Sequence, residues 1–518
     1  MNSRGEKKFL GRVDWTAATA TAILLILSFP NFELSFLAWI ALVPLLWAIV
    51  NRPSPRRAFL LGWTAGSVFF YASCYWLTYS MINYGGLPRI LAYLLLIPGA
   101  LVVGLFPGLF ALTLALAVKR WGYAAVLTAP VLWPAFECAR LGVTGQLWNA
   151  LGYSQAYHKM LIQAANWGGV YAVSFLIVAI NTAIVLVLVR QKVWTVVTAL
   201  VIAASVGFLI LGSRVLEHGD NNLSSDGTSL RVIALQPNVP MTLVKSSEEI
   251  NELRARHLQL SQQALAKIED YPPRLVVWPE SPMNFTYASD KAFQEWVAKF
   301  AAQNRTSLIF NSLEPAGPDA YYNSALLVNQ DGRMIAQYDK IRLMPFGEYV
   351  PFRQWLPGTS LITTIVGEFT PGENYTLMPV ADYRVGVFIC IESAYPWIAR
   401  RLTNEGADVL INISNDGYLG PTAVMRQHLA NAIFRAVENG RPVLRVTNTG
   451  VSAWIEEDGR IREHTVPFQE DVRTWTITRP SLVSTIYREY GDVFVHTCAA
   501  ITLVIFLAAV FPRRRSLR

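Results

Sequence analysis

Charge and thiols are both scarce in this chain. Of its 518 residues only 15% are Asp, Glu, Lys or Arg, and there are four cysteines and six histidines. The cysteines, Cys74, Cys138, Cys390 and Cys498, form no CxxC pair and lack the His spacing of a zinc site. Neither a bound metal nor a disulfide framework is therefore expected. No GxGxxG or Walker-type loop is present, which removes the usual nucleotide sites, and no cofactor is expected. Internal repeats and low-complexity tracts are missing as well. What remains in quantity is apolar: 53% of the residues are hydrophobic, sixteen are Trp, and the mean hydropathy is +0.32. Those values belong to membrane proteins. A net charge of +8 raises nucleic acid as a partner, but the basic residues cluster beside apolar segments, so a membrane is the expected partner and nucleic acid is not.

Apolar runs near 15–31, 34–50, 58–81, 90–118, 121–138, 166–189, 194–213 and 493–512 each approach the roughly 20 residues that cross a bilayer, which gives about eight spans. Basic clusters set their orientation. With "MNSRGEKKFLGR" inside, "NRPSPRR" (51–57), Lys119 with Arg120, "RQK" (190–192) and "RRRSLR" all fall on the same side. The first run is expected to persist as a span, because others follow at once and no cleavage site stands out. The expected organisation is a seven-span region over 1–213, a polar linker over 214–228, a domain over 229–485 on the outer side, a last span over 493–512 and a basic tail over 513–518.

The outer segment changes pattern. Short β-rich runs such as "LRVIALQ" (230–236), "RLVVWPES" (274–281), "SLIFNSL" (307–313), "RVGVFIC" (384–390) and "ADVLINIS" (407–414) alternate with helical stretches at 247–268 and 291–304. That alternation predicts a layered α/β domain. Three features in it combine chemically. Glu280 follows a buried strand, with Pro279 forcing Trp278 into an extended geometry. Lys340 stands eight residues before Glu348, and Cys390, the one cysteine outside an apparent span, stands two before Glu392. A thiol with a pKa of about 8.5 needs a base or a cation to act as a nucleophile. Glu280 is placed to take its proton and Lys340 to stabilise an oxyanion. Taken singly, each has a plainer reading: an inert core thiol, a turn glutamate, a solvated lysine. His428 offers a different partner for Cys390, in the manner of cysteine proteases, against a packing role within its helical, partly apolar setting.

The ordered set Glu280 in "WPES", Lys340 in "DKIRLMPFGEYVP" and Cys390 in "CIES" resembles the Glu-Lys-Cys triad of the nitrilase (carbon–nitrogen hydrolase) superfamily. Eight spans around such a domain are similar to its membrane-embedded acyltransferase branch, a likeness that extends to "LGYSQ" (151–155), "ISNDGYLG" (413–420) and "RAVENGRPVLRVTNTG" (435–450). The resemblance implies an α-helical transmembrane bundle carrying an α-β-β-α sandwich domain. It implies a ping-pong reaction in which Cys390 takes an acyl chain from a phospholipid and passes it to the α-amine of a lipoprotein's diacylglyceryl-cysteine. The enzyme would sit in a bacterial inner membrane as a monomer, with its catalytic domain periplasmic. By the same resemblance Glu280 is the base, Lys340 the oxyanion stabiliser, and Glu348 and Glu392 supporting acids. Trp148, His428 and Asn415 are candidate substrate contacts; for Trp148 an ordinary interfacial anchor is an equal reading.

The chain departs from the family at Ile391, where a tyrosine is usual, and in "QPNVPMTLVKSSEE" (236–249), which lacks an expected tryptophan. Two other features invite a role. The apolar, turn-rich stretch 351–372 reads either as a gate at the lipid surface or as a buried loop. Glu137 and Arg140 read either as an i,i+3 pair or as a head-group contact. The rival functions are a tethered amidase, with water as the acceptor, and a transporter or scaffold whose outer domain only binds.

Overall fold

A computed structural model describes residues 10–145, 147–189, 229–241, 246–268, 273–280, 285–318, 320–345, 347–349, 369–478 and 484–511. The chain divides into two compact units. One comprises Met1–Thr78, Leu87–Val215 and Glu489–Arg518; the other comprises Tyr79–Gly86 and Leu216–Arg488.

The first unit is helical. Among the described residues, Arg89–Trp121, Ala165–Leu188 and Val493–Val510 are long and apolar enough to cross a membrane. Several of the other expected runs take different forms. That at 34–50 is broken into the turn Ser35–Leu37 and the helices Ala38–Ala41 and Val43–Asn51. Pro44 lies in the first turn of the last of these, where its missing N–H costs nothing. The run at 58–81 is a helix only over Pro55–Ser73 and resumes as the short Leu77–Asn83, with Cys74 outside helical geometry between them. The run at 121–138 becomes a 3-10 turn, Tyr123–Thr128, followed by the helix Ala129–Thr144, again with a proline in its first turn. Ala165–Leu188 bends at Gly168 and Gly169, the latter at φ 64, a region open to glycine. The expected span at 194–213, the linker and the basic tail lie outside the described residues, as does the stretch 351–368.

Glu137 and Arg140 are both buried here. The Glu137 carboxylate accepts from Trp133 Nε1 at 2.9 Å and the Leu151 N–H at 2.7 Å, and Arg140 donates to the Trp148 carbonyl at 2.6 Å. The Trp148 ring packs on Trp76, with centroids 5.4 Å apart, and Trp148 is only 4% exposed.

Among the described residues the second unit holds two six-stranded sheets. In the first, β1 (Leu230–Gln236), β2 (Arg274–Val277) and β3 (Ser307–Pro315) run parallel, and β4 (Tyr321–Val328), β5 (Met334–Asp339) and β12 (Asp471–Ile477) complete it antiparallel, in the order β12-β1-β2-β3-β4-β5. In the second, β7 (Tyr383–Ile389), β8 (Val409–Ser414) and β9 (Val443–Thr447) are parallel, flanked by β6 (Leu377–Val380), β10 (Ala453–Ile455) and β11 (Ile461–His464). The parallel strands are covered on both faces and so read as continuous apolar runs. Ser247–Leu265, begun by a Ser246–Glu249 capping box, and Lys291–Gln303, capped by Asp290, pack on the first sheet through Leu258, Leu265, Phe293 and Val297. Pro396–Asn404 and Val424–Asn439 cover the second. The sheets meet across contacts such as Tyr383 Oη donating to the Ile477 carbonyl at 3.1 Å, which makes an α-β-β-α sandwich. Segment Tyr79–Gly86 belongs to this unit: Ser80 Oγ donates to the Tyr418 carbonyl, and the Tyr84 and Tyr418 rings meet edge-on, 5.7 Å apart.

Candidate active site

Four strands, the parallel β2, β7 and β8 and the antiparallel β5, each deliver a polar residue just past their ends, the usual place for a site in layered α/β folds. Glu280 follows β2, Lys340 follows β5, Cys390 follows β7, and Asn415 follows β8. Their side chains converge although they are far apart in sequence. Lys340 Nζ donates to Glu348 Oε1 at 2.8 Å and lies 3.4 Å from Glu280 Oε1. Asn323, on β4, bridges the same two acids, its Nδ2 at 3.0 Å from Glu280 Oε1 and 2.7 Å from Glu348 Oε1. The other oxygen of each acid is held by backbone: the Asn415 N–H donates to Glu280 Oε2 at 3.0 Å and the Met344 N–H to Glu348 Oε2 at 2.7 Å. Both acids are thus fixed in place, and the lysine between them is 1% exposed.

The electrostatics follow from that packing. Burial by itself would lower Lys340, but the Glu280 and Glu348 carboxylates outweigh it and hold the ammonium well above the usual lysine range. Cys390 goes the opposite way to an activated thiolate. Burial first, and then the Glu280 charge, push its thiol up, against a smaller pull from Lys340. The thiol therefore rests protonated. Its backbone sits at φ 53, in the left-handed region that non-glycine residues seldom occupy.

Glu392 is 1% exposed and ties two segments of the site together. Its Oε1 accepts from the Ile341 and Arg342 N–H groups at 2.7 and 3.0 Å; its Oε2 accepts from the Ile389 N–H at 2.7 Å and from Tyr338 Oη at 2.9 Å. Burial nevertheless pushes it up to about 7. Its carboxylate joins the residues just after Lys340 to the one just before Cys390.

His428 does not face the thiol. Its Nε2 is 2.9 Å from the Cys390 carbonyl oxygen and its Nδ1 is 2.8 Å from Asp416 Oδ1. Burial, then the Arg445 guanidinium, pull this imidazole below its ordinary value. Asn415 reaches the site through its backbone, while its side-chain Oδ1 accepts from the Gly417 N–H and from Asn448 Nδ2, both at 3.2 Å. Of the expected residues, Glu280, Lys340, Glu348, Cys390, Glu392, His428 and Asn415 lie together here, and Trp148 belongs to the helical unit.

Several participants were not anticipated: Asn323, Tyr338, Asn412, Asp416 and Arg445. A signal for three of them was present. Asn and a charged residue are disfavoured within apolar strands, yet Asn323, Asn412 and Arg445 each interrupt one. Tyr418, whose hydroxyl is pushed up to about 12 by burial and then by the Glu280 charge, stands near the acids as well.

Stacked sheets between helical layers, with an acid, a lysine and a cysteine at strand ends, define a carbon–nitrogen hydrolase domain, and the family described as "Carbon-nitrogen hydrolase" matches residues 231–487. The helical unit matches a second family, "Apolipoprotein N-acyltransferase N-terminal domain", over residues 21–183. The apolipoprotein N-acyltransferase of Geobacter metallireducens is 33% identical over 98% of this chain and 96% of its own. That of Pseudomonas syringae pv. tomato is 32% identical over 81% of this chain and 82% of its own. Among solved structures, an amidase of the nitrilase superfamily from Nesterenkonia AN1 aligns over 53% of this chain and 99% of its own, at 16% identity and a TM-score of 0.39. The chain belongs to the apolipoprotein N-acyltransferase family.

Proposed function

We propose that the protein transfers an acyl chain from a membrane phospholipid, through a thioester on Cys390, to the α-amino group of a lipoprotein's N-terminal diacylglyceryl-cysteine. The observation that carries this reading is Lys340, buried between Glu280 and Glu348 beside a protonated Cys390 thiol. Because Lys340 keeps its proton, it serves as a fixed positive charge and not as a base. Glu280 is the base. As Cys390 Sγ attacks the ester carbonyl carbon, Glu280 takes the thiol proton, and the oxyanion that forms is stabilised by Lys340 Nζ. When the C–O bond breaks, Glu280 returns the proton to the departing alkoxide, which leaves as a lysophospholipid. In the second half the neutral α-amine attacks the thioester, Glu280 accepts its proton, the C–S bond breaks, and the thiol is restored.

The protonated resting thiol suits a membrane enzyme that waits between substrates, since a free thiolate is the form open to oxidation. Glu348 and Asn323 position the lysine and the base, and Glu392 aligns the segments that carry Lys340 and Cys390. The apolar runs, with the basic clusters read as the inner side, support a reading in which the α/β unit works in the periplasm, as part of a monomer in a bacterial inner membrane. Spans on both sides of the domain confine it to the lipid surface and raise the effective concentration of an acyl donor that never leaves the bilayer.

Intact-mass analysis of the full chain incubated with phospholipid vesicles tests the reading. An acyl adduct is expected on the wild type, absent from Cys390→Ala, and discharged by a diacylated lipopeptide. Discharge by water alone overturns the transferase reading in favour of a hydrolase; no adduct at all overturns both.

A further inference from the structure

His428 has two ring nitrogens, and neither is available to a substrate or to the thiol. We propose that His428 is a positioning residue: together with Asp416, Arg445 and Asn412 it fixes the orientation of the peptide that joins Cys390 to Ile391. The inference rests on Cys390 being the acylated nucleophile.

The four side chains close a ring on one atom. His428 Nε2 meets the Cys390 carbonyl oxygen at 2.9 Å, and His428 Nδ1 meets Asp416 Oδ1 at 2.8 Å. Arg445 Nη2 donates to Asp416 Oδ2 at 2.7 Å, and its Nη1 donates to Asn412 Oδ1. Asn412 Nδ2 returns to the Cys390 carbonyl at 3.4 Å and to the Phe388 carbonyl at 3.2 Å. Ser414 Oγ adds a donor to Asp416 Oδ1 at 3.1 Å. All four ring members are buried, none more than 2% exposed. Apart from Arg445 Nε, which has no hydrogen-bond partner among the described residues, the ring's polar groups satisfy one another, and its geometry is correspondingly rigid.

That rigidity is spent on an uncommon backbone. Cys390 lies at φ 53. A non-glycine residue stays in the left-handed region only when its surroundings over-determine it. Two donors converging on its carbonyl do so. The carbonyl and the Asp416 carboxylate both only accept, so the two contacts together require an N–H on each ring nitrogen; the Asp416 charge and both hydrogen bonds favour that protonated form against the burial and the Arg445 charge that oppose it. A trans peptide is planar, so its C=O and the next N–H point in opposite directions. Pinning the Cys390 carbonyl to the buried ring therefore turns the Ile391 N–H away from that ring and holds the strained backbone that carries Cys390 Sγ in one orientation.

Three variants of the full chain separate this role from substrate binding, read by the single-turnover rate of Cys390 acylation against phospholipid concentration. His428→Gln places an amide nitrogen near the position of Nε2 and keeps a donor for the carbonyl. His428→Asn is shorter, keeps the Asp416 contact and loses that donor. Gly450→Ala touches neither residue, but its Cβ would stand 2.2 Å from Asp416 Oδ2 and displace it. We expect His428→Asn to lower the maximal rate by about 100-fold with the half-saturating concentration unchanged, and His428→Gln to recover at least about tenfold of that loss. Gly450→Ala is expected to lower the maximal rate by about tenfold or more, again at unchanged half-saturation, and so reports on the ring even where the His428 variants fail to fold. A raised half-saturating concentration at an unchanged maximal rate makes His428 a substrate contact and overturns the inference. So do equal rates in His428→Gln and His428→Asn, or a Gly450→Ala enzyme as fast as the wild type. A wild type that forms no adduct on Cys390 overturns the catalytic reading itself, a result distinct from any of these.

Discussion

Lys340 is bound more closely by Glu348 than by Glu280: its ammonium is 2.8 Å from the one carboxylate and 3.4 Å from the other. The division suits two different tasks. In the proposed reaction the closer acid holds the cation in place, and the looser one keeps a lone pair free to receive a proton.

It follows that Glu348→Gln weakens the lysine's hold without removing the proposed base, Glu280. We expect acylation of Cys390 to slow by about 10²–10³-fold, comparable to losing one oxyanion donor, while Glu280→Gln slows it at least as much. Quenched-flow acylation monitored by intact mass separates these values from a wild-type rate.

The Glu280 charge also yields a prediction of opposite sign. It raises the Cys390 thiol, so neutralising it lets the thiol ionise more readily. Alkylation of Cys390 by iodoacetamide at pH 8 should therefore be faster in Glu280→Gln than in the wild type, although acyl transfer is slower. In the wild type the alkylation rate should climb through the alkaline range with no plateau near the pH of about 8.5 at which an ordinary thiol titrates.

Asn323 gives a third test. Its amide is shared by Glu280 and Glu348. Asn323→Leu keeps the branched shape and the number of heavy atoms and removes the amide that serves both acids, for an expected loss of about 10- to 100-fold in acylation rate. Asn323→Asp adds a third carboxylate and should be worse. A melting temperature near that of the wild type would show that the effect lies in the site.

Glu392 predicts a dependence on pH. Burial raises it from 4.5 to about 7, so in the folded state it binds its proton more tightly than in the unfolded chain. The folded state therefore gains from protonation: this contribution is fully present below about pH 4.5 and is lost as the pH rises through about 7. The activity runs the other way, because only the carboxylate accepts from all of the Ile389, Ile341 and Arg342 N–H groups. The acylation rate should fall as the pH drops below about 7, and Glu392→Gln should be slow at every pH, without that limb. Thermal melts and rates over pH 5–9 check both halves.

Much of this was legible in the linear sequence. Eight apolar runs, three of them described as helices fit to span a membrane, and the alternation of strands with helices fix the kind of molecule. Glu280, Lys340 and Cys390 stand out because each follows a strand, and Glu348 and Glu392 because they stand close to two of them in sequence. The helix boundaries were less legible. Polar and proline residues at 44, 74–80 and 130 move the ends of apolar runs by several residues, and hydropathy does not register where a backbone hydrogen bond is lost.

What the sequence determined by itself is therefore composition and alternation: which segments are apolar, which strands are buried, and which residue types with acid, base or nucleophilic chemistry sit at strand ends. What only the tertiary structure decided is who meets whom. The strand period of two puts Asn412 and Ser414 on one face of β8, and Arg445 and Thr447 on one face of β9, but only the observed register sets Asn412 opposite Arg445 and Ser414 opposite Thr447. The same holds for Asn323, 43 residues from Glu280, and for His428, 38 from the carbonyl it holds. Hydrogen bonds fail within a few tenths of an ångström, and no pattern along the chain carries distances across it to that precision. Cys390 stood out as a candidate nucleophile from its place at the end of a strand; the ring that holds its carbonyl existed only once two strands had been laid side by side.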